Sequence, residues 1–194
     1  MEYGFKEIFG LIAILIAIIS YVPYFAGIYK GAVKPHAFTW TIWGILTLIA
    51  FFAQWSDGGG AGAWVTGFTA LVSFFIVLTA IRNGFKNITK TDWISFAVAV
   101  LSIPLWIITK NPLWSVILIT VIDALGFYPT IRKSYTNPYE EPAVTYGLSS
   151  IKFIFAIFAL GNFSVITVLY PASLVLANGL FVVMLWWRRK GVTS

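Results

Sequence analysis

IAIISYVPYFAGIY at residues 16–29 and IDALGFYPTIRKSY at residues 122–135 read as two copies of one segment, with Ile16/Ile122, Pro23/Pro129 and Tyr29/Tyr135 in register. Extending the comparison outward, a shift of 106 positions lays residues 16–82 on residues 122–188 without a gap. The matches include Pro23/Pro129, Tyr29/Tyr135, Ala37/Ala143, Thr39/Thr145, Phe52/Phe158, Phe75/Phe181 and Arg82/Arg188. Each copy holds three long apolar stretches, and a seventh lies between them. The spacing predicts spans at roughly 8–29, 37–56, 61–82, 91–109, 112–133, 142–161 and 164–187. The expected fold is therefore an all-α integral membrane protein with seven transmembrane helices in a 3+1+3 parallel-repeat arrangement. Its parts are a first three-helix repeat (1–89), a linker helix (90–110) and a second three-helix repeat (111–194). Such repeats recur in carriers of small solutes.

Composition points the same way. The chain has 194 residues, of which 59% are hydrophobic and 10% charged, with mean hydropathy +0.87. An average soluble protein is about 25% charged, so the surrounding medium has to be largely lipid. Seven spans of about 20 residues use about 140 residues, leaving short loops and no room for a soluble catalytic domain. Cys is absent, which excludes disulfides, thiolate metal sites and a Cys nucleophile, and a single His excludes a His-based metal cluster. The first span runs into Tyr21-Val22-Pro23-Tyr24 with no small-residue cleavage site, so it reads as a span and not a removable leader.

The net charge of +6 raises the question of nucleic acid, but the loops account for it. One side of the membrane receives Lys30, Lys34, Arg82, Lys86, Lys90, Arg132, Lys133, Arg188, Arg189 and Lys190; the other receives Lys6 and Lys110; Lys152 falls within the sixth span. The positive-inside rule then puts the N-terminus outside and the C-terminus in the cytoplasm, in a prokaryotic inner or plasma membrane. No nucleic-acid partner is expected. Trp55, Trp64, Trp93, Trp114, Trp186 and Trp187 lie near span ends and read as an aromatic belt. Trp40 and Trp43 share a face of the second span and either pack against a neighbour or line a cavity. Gly58-Gly59-Gly60-Ala61-Gly62 lacks the Gly-Lys-Ser/Thr ending of a phosphate loop and reads as a flexible turn.

Three polar residues stand where the membrane makes them expensive: Asp123, Lys152 and Asn178. All belong to the second repeat, and their 106-residue partners are the apolar Ala17, Leu46 and Val72. Asp123 and Lys152 read as a pair in contact, either holding two helices together or serving gating or coupling. Asn178 either glues helices by hydrogen bonds or contacts solute. Pro23 and Pro129 sit at matching depths. A proline removes a helix hydrogen bond, so the two mark either symmetric hinges or helix ends. Thr39, Thr145, Tyr146, Ser149 and Ser150, with Trp43, offer the aromatic and hydrogen-bonding lining that a neutral polar solute needs. His36 precedes the second span and reads as a loop histidine, with a proton role as the alternative.

With these residues in view, the chain resembles the SWEET, SemiSWEET and PQ-loop carriers. The family carries a Pro in the first helix of each triple, followed by Gln and a basic loop. Here that appears as Pro23-Tyr24 with Lys30 and Lys34, and as Pro129-Thr130 with Arg132, Lys133 and Ser134; the Gln is absent from both copies. The resemblance implies a solute-site Asn in the last helix, the role Asn178 fits, while Val72 or Ser73 stands at the matching place in the third. Vitamin carriers of the PnuC type share the layout and use aromatic stacking.

The expected function is a membrane carrier moving a small polar metabolite, sugar-like, vitamin-like or similar, by alternating access between the repeats. Asn178, Trp43, Thr39, Tyr146 and Ser149 would bind solute, Asp123 and Lys152 would gate or couple, and Pro23 and Pro129 would hinge. The alternative is a non-transporting seven-helix receptor or scaffold subunit on the same fold. A retinal-type light receptor is disfavoured because Lys152 belongs to the sixth span and not the seventh. No enzymatic activity and no cofactor or metal is expected, since no Ser–His pairing, carboxylate pair or metal cluster is evident. The expected partners are a solute and the lipid bilayer, with a homo-oligomer left open.

Overall fold

The computed structural model describes residues 2–33, 35, 37–83, 89–90, 93–94, 96–97, 100–101, 104, 108 and 111–191, without the side chains of residues 2, 3, 82, 83, 129 and 133. Six α-helices are defined among them: α1 (Glu2–Tyr29), α2 (Ala37–Ser56), α3 (Trp64–Asn83), α4 (Pro112–Thr136), α5 (Ala143–Phe158) and α6 (Val165–Gly191). A 3-10 turn at Gly60–Ala63 precedes α3. No strand occurs among the described residues. Lys34, His36, Lys86, Lys110 and much of the expected linker helix lie outside them, so six elements are defined where seven spans were expected. Within the linker, positions 90, 93, 94, 96, 97, 100, 101, 104 and 108 are helical.

Five of the helices are long and apolar enough to cross a membrane. Their apolar residues also face outward. On α1, Leu11, Leu15, Ile18 and Val22 are exposed, whereas Ala13, Ala17, Ser20 and Tyr24 on the opposite face are buried. On α3 and α6 the outward residues include Leu71, Phe75, Leu78, Leu176, Leu180 and Val183. An exposed apolar face this extensive suits lipid and not water, and the chain reads as an integral membrane protein. Trp55, Trp93, Trp114, Trp186 and Trp187 are exposed, as belt residues are.

The exception is α5, whose 16 residues reach about 24 Å at 1.5 Å per residue, short of a hydrocarbon core about 30 Å thick. Its expected span, 142–161, is cut short by a tightening of the last turn. Ala159 N–H donates to Phe155 O at 3.0 Å and Leu160 N–H to Ile157 O at 3.1 Å. Ala159 and Leu160 are fully buried, and protein-buried backbone of this kind is tolerated at membrane depth.

The packing is reciprocal. α3 lies between α1 and α2, and α6 lies between α4 and α5. Across the molecule, α1 packs on α5 and α2 on α4. The central apolar cluster draws on all six helices, with Ala13, Leu46, Val65, Ile119, Phe153 and Tyr170 among its members.

One end of the bundle is sealed by the α2–α3 and α5–α6 connections. Asn162 Nδ2 donates to Asp57 O at 3.1 Å and to Asp57 Oδ2 at 3.3 Å, and the Ser164 hydroxyl donates to the same carboxylate. Gly161 N–H reaches Gly59 O at 3.1 Å, and Lys6 Nζ reaches Gly161 O at 3.2 Å. The glycine run is thus a packed closure and not the flexible turn the sequence suggested: Gly59, Ala61, Gly62 and Ala63 are buried. The connections meet so closely that a Cβ at Gly161 would stand 2.5 Å from Gly58 O. The opposite end carries Lys30, Arg132 and the Arg188–Lys190 run at helix C-termini. There Arg188 Nε donates to Tyr135 O at 2.9 Å and Arg189 Nη2 to Glu141 O at 2.8 Å.

Pro23 lies inside α1, and α4 continues through position 129 to Thr136. The helix-end reading of the two prolines is therefore set aside, since both helices run on by more than a turn. The Pro129 side chain lies outside the described residues.

Candidate solute cavity

All six helices contribute to one cavity of about 70 Å³. A water needs about 10–15 Å³ of such space, so the cavity has room for several waters or a small solute. α1 supplies Tyr21 and Tyr24, α2 supplies Trp40, Trp43 and Thr47, and α3 supplies Thr69 and Ser73. From the last three helices come Asp123 and Phe127 of α4, then Thr145, Tyr146, Ser149, Lys152 and Phe153 of α5, and Tyr170, Leu174, Ala177 and Asn178 of α6. The lining runs from mid-bundle to the first turns of α2 and α5 at the basic end. Four pairs of positions related by the 106-residue shift line it together: Tyr21/Phe127, Trp40/Tyr146, Trp43/Ser149 and Thr47/Phe153.

Lys152 is 1% exposed, and its side chain reaches from α5 to α1 and α3. It donates to Tyr21 OH at 3.2 Å and to Thr69 Oγ1 at 3.1 Å, and stands 4.7 Å from the centre of the Tyr21 ring. Asp123 is buried as well; its Oδ1 accepts from Tyr170 OH at 3.3 Å. The expected Asp123–Lys152 contact is not made: no ion pair within 4 Å joins them, and each is held by hydroxyls from other helices. The reason is placement. Asp123 turns toward α6, whereas Lys152 turns toward α1 and α3.

The other expected site residues divide. Asn178 lines the cavity; its Nδ2 donates to Leu174 O of its own helix at 2.7 Å, and its Oδ1 has no partner among the described residues. Trp43 lines the cavity and also packs, with ring centres 5.1 Å from Trp40 and 5.7 Å from Phe127, so both readings of it hold. Tyr146 donates to Glu141 Oε2 at 2.9 Å, and both Tyr146 and Ser149 belong to the lining. Thr145 also contributes to the lining, and its hydroxyl oxygen is buried without a partner among the described residues. Thr39 is buried but lies outside the lining, as does Pro23. Ser150 instead donates to Val175 O at 2.9 Å, joining α5 to α6.

Sequence reading missed Tyr21, Thr69 and Tyr170, the hydroxyls that hold the two charges. A signal was present. Thr145, Ser149 and Lys152, and separately Tyr170, Leu174 and Asn178, recur at the helical spacing that puts them on one face. Among the described residues no three His, Asp or Glu side chains cluster as a metal ion would require. Comparison with protein-family models, curated proteins and solved structures finds no match for this chain.

Proposed function

We propose that the protein is a carrier that moves a small polar metabolite across the membrane by alternating access between two three-helix repeats joined by a linker helix. The observation that carries this reading is a mid-bundle cavity, lined by both repeats, holding Asp123, Lys152 and Asn178. Ionisable groups at such depth are costly and mark solute or ion pathways, and repeat-built carriers bind solute near the midplane between their repeats.

Three further observations support it. The reciprocal packing of α1 on α5 and α2 on α4 is what a two-fold relation between the triples produces. Asn83 ends α3 at the basic end, whereas Pro112 starts α4 at the sealed end, which favours a seventh crossing between them. The cavity extends toward the basic end while the other end is closed, the pattern of an inward-facing state under the positive-inside orientation. In this reading Asn178, Trp43, Tyr146 and Ser149 contact solute. Asp123 and Lys152 gate or couple, and the triples rock about Pro23 and Pro129. A SWEET-like or PQ-loop-like carrier is the family this arrangement favours.

Thermal unfolding of the purified protein against sugars, nucleosides, vitamins and amino acids tests the reading, because a ligand that binds only the folded state raises the melting temperature. The expected result is a selective rise that disappears in Asn178→Ala. A flat panel with a normally folded variant would favour a non-transporting receptor or scaffold.

A further inference from the structure

Asp123 and Lys152 pose a physical problem that their neighbours do not solve. Two ionisable groups of opposite sign stand in one low-dielectric cavity without touching, and the side-chain hydrogen bonds of each go to neutral hydroxyls. Buried charges are tolerated when paired. These two keep unused capacity. The ammonium has three donors, and two go to Tyr21 and Thr69. On Asp123, Oδ1 takes the Tyr170 hydroxyl and Oδ2 has no partner among the described residues. In the one cavity, Lys152, held from α1 and α3, thus keeps one donor, and Asp123, held from α6, keeps one acceptor.

Building on the carrier reading, we infer that the solute is a small zwitterion of the amino-acid class, its carboxylate taken by Lys152 and its ammonium by Asp123. Such a ligand satisfies both buried charges at once. A sugar satisfies neither with a countercharge, and a singly charged solute leaves one charge uncompensated. The limited volume favours compact members of the class. The asymmetry of the repeats follows from the same requirement. A zwitterion has two unlike ends, so a site between two-fold-related triples cannot read it with matched residues, and Ala17 and Leu46 stay apolar where the second copy carries the charges.

The test measures dissociation constants from ligand-dependent melting of the full-length protein. The probes are neutral α-amino acids, each beside its amide and its N-acetyl derivative, with glucose as the uncharged control. At least one amino acid should bind tenfold or more tightly than both of its derivatives. In Asp123→Asn the N-acetyl derivative should come level with the parent while the amide stays weak. In Lys152→Gln the amide should come level while the N-acetyl derivative stays weak. A general structural lesion would not separate the derivatives in this way. If the variants do not fold, the derivative series on the unaltered protein decides. Equal binding of a parent and either derivative would overturn the inference. Binding of glucose without any amino acid would overturn it and leave the carrier standing. An absence of binding and of flux for every solute would remove the carrier reading as well.

Discussion

The sealed end makes the sharpest mechanical prediction, through Gly62. Its 3-10 turn packs so close to the end of α5 that a Cβ at Gly62 would stand 2.6 Å from Ala156 O, 2.6 Å from Leu160 Cδ2 and 2.9 Å from Leu160 Cα. The Ala156 contact is about 0.8 Å short of the ordinary limit near 3.4 Å. Two of the three atoms are backbone, so the connections themselves have to separate. Overpacking of this kind costs about 1–3 kcal/mol. Borne only by the arrangement in which this end is closed, that cost shifts the balance toward opening by about 5- to 150-fold. The assay exploits the absence of cysteine from the chain. A single reporter, Leu174→Cys, lines the cavity at a position 9% exposed. Its labelling by a membrane-impermeant maleimide, applied from the sealed side of oriented vesicles, should accelerate at least fivefold when Gly62→Ala is added. An unchanged rate, with the double variant monodisperse and folded, would refute the claim that this glycine contact holds the cavity shut.

Other perturbations have definite signs. Gln54 is fully buried; its Nε2 donates to Thr167 O at 3.1 Å while its Oε1 has no partner. Replacing it with Leu relieves that orphaned acceptor but orphans the buried Thr167 carbonyl, whose helical donor position four residues on is Pro171 with no N–H. The two penalties of about 1–3 kcal/mol offset, and the lost hydrogen bond of about 0.5–1.5 kcal/mol should leave Gln54→Leu melting lower. Tyr21→Phe keeps the ring beside Lys152 but removes one of its two hydroxyl partners. The loss is about 1.5–3 kcal/mol, seen as a lower melting temperature, whereas Phe75→Tyr on the exposed face of α3 should change it little. Asp57→Ala removes the acceptor for Asn162 and Ser164 and should raise Leu174→Cys labelling from the sealed side without changing labelling from the basic side.

The repeat made much of this arrangement legible before any coordinates. A gapless shift of 106 residues located the helix pairs that pack reciprocally, and the depth of Asp123, Lys152 and Asn178 placed them in one layer, where they line one cavity. Partner choice was not legible. Hydropathy reports how deep a residue lies but not which way round the helix it points, so Asp123 and Lys152 read as a pair although α6 holds one and α1 with α3 the other. Thr39 misled for a related reason: its repeat mate Thr145 lines the cavity, but the broken symmetry leaves Thr39 packed outside it. The glycine run reads locally as slack chain, because its packing against Ala156, Leu160 and Gly161 comes from a segment about 100 residues away. The short span of α5 escaped for the same reason, since its buried exit is set by that long-range contact.

Solute flux tests the central claim most directly. The protein, reconstituted in sealed liposomes preloaded with unlabelled solute, should exchange a radiolabelled amino acid or other small polar metabolite from outside, saturably. Asn178→Ala should lose that exchange while melting normally. If no solute that stabilises the protein crosses the membrane faster than in empty liposomes, the cavity is a receptor pocket and the carrier account is wrong.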